Sequence, residues 1–173
     1  MGKILPNIFF QRKTETVAKE LLGKKIVRNI GGELVKYMIT EIEAYIGPHD
    51  LACHASKGRT ARTEVMFNEG GTIYIYLIYG IHFMLNVVTD KKDYPAAVLI
   101  RGVQNISGPG RVTKKLKIDK KLNGLLLSKK TGLWIEELDN TPEKKDVLVG
   151  PRVGVGYAGP LWANKKLRYR LKE

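Results

Sequence analysis

The sequence predicts an α+β domain built on a largely antiparallel sheet. Three observations carry this. Residues 24–46 and 72–90 each read as a β-hairpin, two strand-like runs joined by a short turn. Strand patterns dominate the middle of the chain and helical ones only flank it. The strand–helix alternation of a parallel α/β sheet is missing. No internal repeat or low-complexity linker divides the 173 residues, so one domain over 1–173 is expected.

The elements follow in order. "TETVAKELLG" (Thr14 to Gly23) reads as a short helix, with Val17, Leu21 and Leu22 on one face and Gly23 as its stop. The first hairpin turns at Gly31-Gly32. Alternation along its second arm groups Val35, Tyr37, Ile39, Glu41, Glu43 and Tyr45 on one face. Residues 47–71 mix Gly, Pro, Asp, His and Arg and read as irregular. The second hairpin, "TIYIYLIYGIHFMLNVVTD", pivots at Tyr79-Gly80. Its first arm assigns Ile73, Ile75 and Leu77 to the core and Thr72, Tyr74, Tyr76 and Ile78 to the other face. "AAVLIRGV" is a further strand, and "GPGRVTKKLKID" a Gly/Pro turn opening a basic helix. Short strands and turns fill the C-terminal third.

Composition narrows the partners. Thirty Lys and Arg stand against 17 Asp and Glu, a net charge of +13 spread along the chain, and this favours a polyanion such as nucleic acid. No apolar run approaches the roughly 18 residues of a membrane helix. One cysteine, Cys53, allows no internal disulfide, so a reducing, cytoplasmic setting is the expectation, at the nucleoid if the source is bacterial. No heptad or surplus apolar face calls for more than a monomer. His49, Cys53 and His54 lie close together, but with three His and one Cys in all and no CxxC or HExxH pair, no metal or other cofactor is expected. Walker, dinucleotide-binding and nucleophile-elbow motifs are missing as well.

Some residues are poorly explained by packing. A carboxylate beside an aromatic near a strand end suits a general base, and period alone does not choose between Glu41 and Glu43, or exclude that both are solvated. A phenol at a hairpin tip, Tyr79, is badly placed for burial and well placed to stack on or wedge between bases. Asn86 shares a face with His82 and Met84, where its amide either recognises a ligand or satisfies backbone groups. Arg59 and Arg62 suit phosphates, or a solvated loop. Arg101, near the end of an apolar strand, suits a carboxylate or an anion.

Taken in order, "TEIEAYIGPHDLACH", "GTIYIYLIYGIHFMLNVV", "AVLIRGV" and "RVGVGYAG" resemble the alkyladenine (3-methyladenine) DNA glycosylase family, over most of the chain. The resemblance implies a curved, open-barrel-like sheet with a few flanking helices. It implies hydrolysis of the N-glycosidic bond to an alkylated or deaminated purine flipped out of duplex DNA, leaving an abasic site with no lyase step. On this likeness Glu43 is the base that activates water, with Arg101 and the backbone of Val153 completing the water site. Tyr45, His54 and Tyr76 form the base pocket, and Asn86 rejects a guanine exocyclic amine. Tyr79 fills the gap in the duplex, while Arg59, Arg62 and Met66 lie near the DNA backbone or groove. The chain departs from the family pattern at Thr63, where Asn is common, at His82, and at Tyr157, which replaces a frequent His. The competing reading is a non-catalytic, basic RNA- or DNA-binding domain with the same hairpin as a stacking platform.

Overall fold

The computed structural model describes residues 2–138 and 146–172. Helices α1 (Asn7–Phe10) and α2 (Thr14–Leu21) open the chain. The apolar face of α2 is buried as its spacing predicts: Val17 and Leu21 are fully covered, and Gly23 turns the chain at a φ of 81°. Strands β1 (Lys25–Ile30) and β2 (Glu33–Tyr45) then form the first hairpin. Gly31 and Gly32 both take positive φ, 61° and 95°, as a two-residue turn between twisted strands requires.

Strands β3 (Ile73–Ile78) and β4 (His82–Val88) make the second hairpin. They are followed by β5 (Ala97–Val103), β6 (Ile106–Ser107), helix α3 (Pro109–Lys115), β7 (Leu133–Glu136) and β8 (Val147–Gly150). Helix α4 (Gly159–Ala163) and β9 (Arg168–Leu171) close the chain. Among the described residues nine strands join in one sheet with main path β3–β4–β5–β2–β1–β7, every pairing antiparallel, and the sheet does not close into a barrel. No helix of the described residues is long and apolar enough to cross a membrane.

Strict alternation fails along β2. Ile39 pairs with Val103 and Glu41 with Gly102, so Thr40 is an extra residue on β2; Ile42 then pairs with Ile100, which leaves Arg101 as an extra residue on β5. These paired irregularities switch the core-facing positions from Val35, Tyr37 and Ile39 to Ile42 and Ala44. Glu41 and Glu43 are thereby set apart from the main core, and Tyr45 packs against both it and the smaller cluster, although alternation alone groups all three with Ile39. A bulge re-aims side chains in this way. Here it delivers two glutamates and an arginine to one spot.

A second correction concerns Leu77. Ile73 and Ile75 are core residues, but Leu77 is 45% exposed. The hairpin runs on past the packed layer at this point, with Leu77 opposite the half-buried Phe83 and Ile78 opposite the exposed His82.

Candidate active site

The sheet has two unequal faces. One carries the large core, including Phe10, Leu21, Ile39, Ile42 and Leu85. The other carries a small cluster of Cys53, Ala55, Met66, Tyr74, Val88 and Ala97, with Tyr45 and Tyr76 packed against it. Residues 47–71 supply the cover for that face, through two short 3₁₀ turns at His54–Lys57 and Glu64–Phe67. Beside the cluster opens a cleft of about 560 Å³, bounded by Glu43, Tyr45, His54, Tyr76, Tyr79 and Arg101 among others. A narrow recess of about 30 Å³ runs deeper, past Tyr74 and Asn86. It has room for water-sized groups only.

Glu43 is completely buried at the wall of the cleft. Val153 N–H donates to Oε1 at 2.7 Å, and the Tyr45 hydroxyl donates to Oε2 at 2.8 Å. The bulged Arg101 brings Nε to 3.6 Å from Glu43 Oε1 and 3.5 Å from Glu41 Oε1. That Nε is buried and makes no hydrogen bond among the described residues, which leaves donor capacity beside the carboxylate. Burial raises the Glu43 pKa above its ordinary 4.5, and Arg101, the Val153 N–H and Tyr45 only partly oppose it. A carboxylate held this way is more basic than a solvated one, as suits a general base. Glu41, also buried, is otherwise engaged: Arg168 Nη1 donates to its Oε1 at 3.1 Å. Neither glutamate is the solvated surface group that period alone allows.

The aromatic residues converge. The His54 and Tyr76 ring centres lie 4.5 Å apart at 70°, and Tyr45 is half-buried beside the same cleft. Tyr74 is 2% exposed, and its hydroxyl lies 3.0 Å from His54 Nδ1. Tyr74, on the face that alternation sets opposite the core residues Ile73 and Ile75, is packed into the smaller cluster. It also orients the imidazole. Asn86, 3% exposed, donates from Nδ2 to the carbonyls of Tyr74 and Met84, so it satisfies backbone groups and walls the recess at once.

Burial, helped by Arg62 and Lys57, lowers the His54 pKa from 6.5 to about 4. The ring is neutral at pH 7. Above pH 6.5 neither the folded nor the unfolded chain charges it. Between 6.5 and about 4 the unfolded chain takes up a proton that the folded one refuses, so stability falls with pH. The melting temperature is thus expected to drop more steeply over that interval in the wild-type chain than in His54→Gln. Parallel curves would contradict the burial of His54.

Tyr79 stands at the hairpin tip, 90% exposed, at a φ of 51°, followed by Gly80 at 68°. Ile81 N–H closes the turn on Ile78 O at 3.2 Å. A tyrosine in the left-handed region is uncommon and marks a position held for another reason than packing. Arg62 reaches over the Tyr76 ring, 5.2 Å from its centre, at the cleft mouth. Arg59 is bound by Glu64 through two hydrogen bonds of 2.8 and 2.7 Å and lies over Phe67. Met66 is 2% exposed and lines the inner recess. Met66, expected near the DNA backbone or groove, is turned inward by the 3₁₀ turn Glu64–Phe67. At the departures, Thr63 is buried and its hydroxyl donates to Gly58 O, bracing the loop. His82 lies against Gly110 at the start of α3. Tyr157 anchors its hydroxyl on Ala52 O at 2.8 Å while its ring borders the cleft.

Two partners escaped the sequence reading. Arg168 reaches Glu41 from β9, and Asp50 forms a wholly buried ion pair with Arg152 behind Tyr45. These contacts span 127 and 102 residues, and no local pattern encodes them.

Residues 8–108 and 104–173 match the family described as methylpurine-DNA glycosylase (MPG). A Legionella pneumophila (strain Corby) protein is 47% identical over 98% of this chain and 94% of its own length. Relatives from Methanocella arvoryzae and Myxococcus xanthus are both 43% identical, over 90% and 98% of this chain and 86% and 90% of theirs. All three carry the name "Putative 3-methyladenine DNA glycosylase".

Proposed function

The chain belongs to the methylpurine-DNA glycosylase family, and from that premise we propose that it flips a damaged purine out of duplex DNA and hydrolyses its N-glycosidic bond with water activated by Glu43. The observation that carries the reading is the Glu43 carboxylate, fully buried beside an open aromatic cleft and held by Val153 N–H and the Tyr45 hydroxyl. Cleavage passes through a sugar with oxocarbenium character. A carboxylate beside it both takes a proton from water and offsets the developing positive charge. Arg101 Nε and the Val153 backbone steady the water.

The flipped base stacks among Tyr45, His54 and Tyr76, on the general pattern of enzymes that act on extruded bases. Neutral His54, with Nδ1 on the Tyr74 hydroxyl, is available to hydrogen-bond the base edge. Asn86 crowds the site where guanine carries its exocyclic amine. Tyr79 occupies the vacated stack, and Arg62 neutralises phosphate once the base displaces it from Tyr76. Arg59 reaches phosphate only by exchanging Glu64 for it. No lysine nucleophile enters the scheme, so the product is an intact strand with an abasic site.

The test is release of free base from duplexes carrying hypoxanthine, 1,N6-ethenoadenine or 3-methyladenine. Release from at least one, and none from undamaged duplex, is expected. Tight binding to undamaged single strands with no base released would instead establish a non-catalytic stacking domain.

A further inference from the structure

Asp50 and Arg152 have no task in the scheme above, yet they are the most completely enclosed ion pair among the described residues. Both side chains are 0% exposed. Arg152 Nη1 donates to Asp50 Oδ2 and Nη2 to Asp50 Oδ1 at 2.8 Å, a bidentate match. Nη1 also donates to Ala44 O at 2.9 Å, on the residue between Glu43 and Tyr45. The guanidinium carbon sits 4.7 Å from the centre of the Tyr45 ring. The next residue along the backbone is Val153, whose N–H donates to Glu43. Asp50 meanwhile accepts from the N–H groups of Ile46 and Ala52, at 3.1 and 3.0 Å, and so shapes the turn that leads from Tyr45 to His54.

We propose that Asp50 and Arg152 are positioning residues for excision: one buried ion pair sets the Val153 donor on Glu43, the Tyr45 stacking face and the loop that presents His54. The inference rests on Glu43 being the base. Desolvating two charges completely is costly, and an apolar pair of similar volume often serves stability as well. A buried pair that joins three parts of one site fits positioning better than stability. Arg152 also adds positive charge near Glu43, and this lowers the Glu43 pKa against the larger effect of burial. The other groups around Glu43 are Glu41 and Tyr45 on β2, Arg101 on β5, Arg168 on β9, Tyr76 on β3 and Tyr157.

The experiment is single-turnover excision against pH for wild type, Arg152→Gln, Arg152→Lys, Asp50→Asn and Glu136→Gln, each normalised to its folded fraction. Glu136→Gln on β7 breaks an ion pair in which Glu136 is buried and its partner, Lys36 on β2, is exposed; neither residue lines the cleft, and the variant controls for lost stability. Arg152→Gln is expected to lower the plateau rate tenfold or more and to move the acid limb to higher pH. Arg152→Lys keeps the charge without the fork, so its plateau falls while its limb stays near that of wild type. Asp50→Asn lowers the plateau and moves the limb to lower pH, because a negative charge is lost. Glu136→Gln keeps both wild-type features. If Arg152→Gln or Asp50→Asn does not fold, Arg152→Lys still decides through its plateau. Wild-type plateaus and limbs in the folded Asp50 and Arg152 variants would overturn the inference. Undiminished excision by Glu43→Gln would overturn the underlying reading instead, whatever the pair does.

Discussion

Glu43→Gln is expected to release damaged purine about a hundred to ten thousand times more slowly than wild type under single-turnover conditions, while still binding damaged duplex. The substitution is close to isosteric. Its carbonyl oxygen can still accept from Val153 N–H, and the bulged segment around Thr40 and Arg101 stays packed. What disappears is the proton acceptor and the negative charge beside the sugar. On the proposed reading binding survives, because the substitution leaves the rings of Tyr45 and Tyr76 and the arginines near the cleft in place, at the cost of altering only the Tyr45 hydroxyl's acceptor. Glu41→Gln is the matched comparison. Glu41 is engaged with Arg168 at 3.1 Å and stands across Arg101 from Glu43, so its loss disturbs Arg101 without removing the base. A larger defect in Glu41→Gln than in Glu43→Gln would reverse the assignment.

Tyr79→Ala is the second large effect. At 90% exposure Tyr79 contributes almost no packing, and its turn is held by Gly80 and the Ile81-to-Ile78 hydrogen bond, so thermal stability should hold. A base-stacking aromatic contributes about 1–3 kcal/mol, which corresponds to about a 5- to 150-fold loss in affinity for damaged duplex. The loss should appear in binding and in excision at subsaturating enzyme together. A chain with unchanged affinity and rate would show that Tyr79 does not enter the duplex. A chain that unfolds early would show that Tyr79 is structural.

Much of the scaffold was legible because local chemistry dictates it. Gly31-Gly32 and Tyr79-Gly80 mark turns that need positive φ, and both hairpins form there. The apolar face of Thr14–Leu21 predicts α2, and "GPGRVTKK" predicts α3. Alternation misled where the ladder is irregular or runs past its packing layer. It put Glu43 on the Ile39 face because an extra Thr40 leaves no trace in period, and it put Leu77 in the core because period says nothing of where the opposite layer ends.

The site was legible in part. Glu43, Tyr45, His54, Tyr76, Asn86, Arg101 and Val153 do gather around one cleft and its recess, and the resemblance, rather than period, singled out Glu43 from Glu41. Met66 came from the resemblance alone, and its inward turn follows from the 3₁₀ turn Glu64–Phe67, which no two-residue period describes. The Asp50–Arg152 pair was invisible because it joins two unremarkable loop residues through tertiary contact alone.

The most direct measurement is single-turnover reaction of the wild-type chain with a duplex carrying one damaged purine that it excises, with borohydride present and the products resolved by denaturing gel and mass. Hydrolysis by Glu43-activated water predicts free purine, an unbroken strand with an abasic site, and no protein joined to DNA. A protein–DNA adduct that survives denaturation would mean that an amine of the chain, not water, attacks the sugar, and would contradict the account.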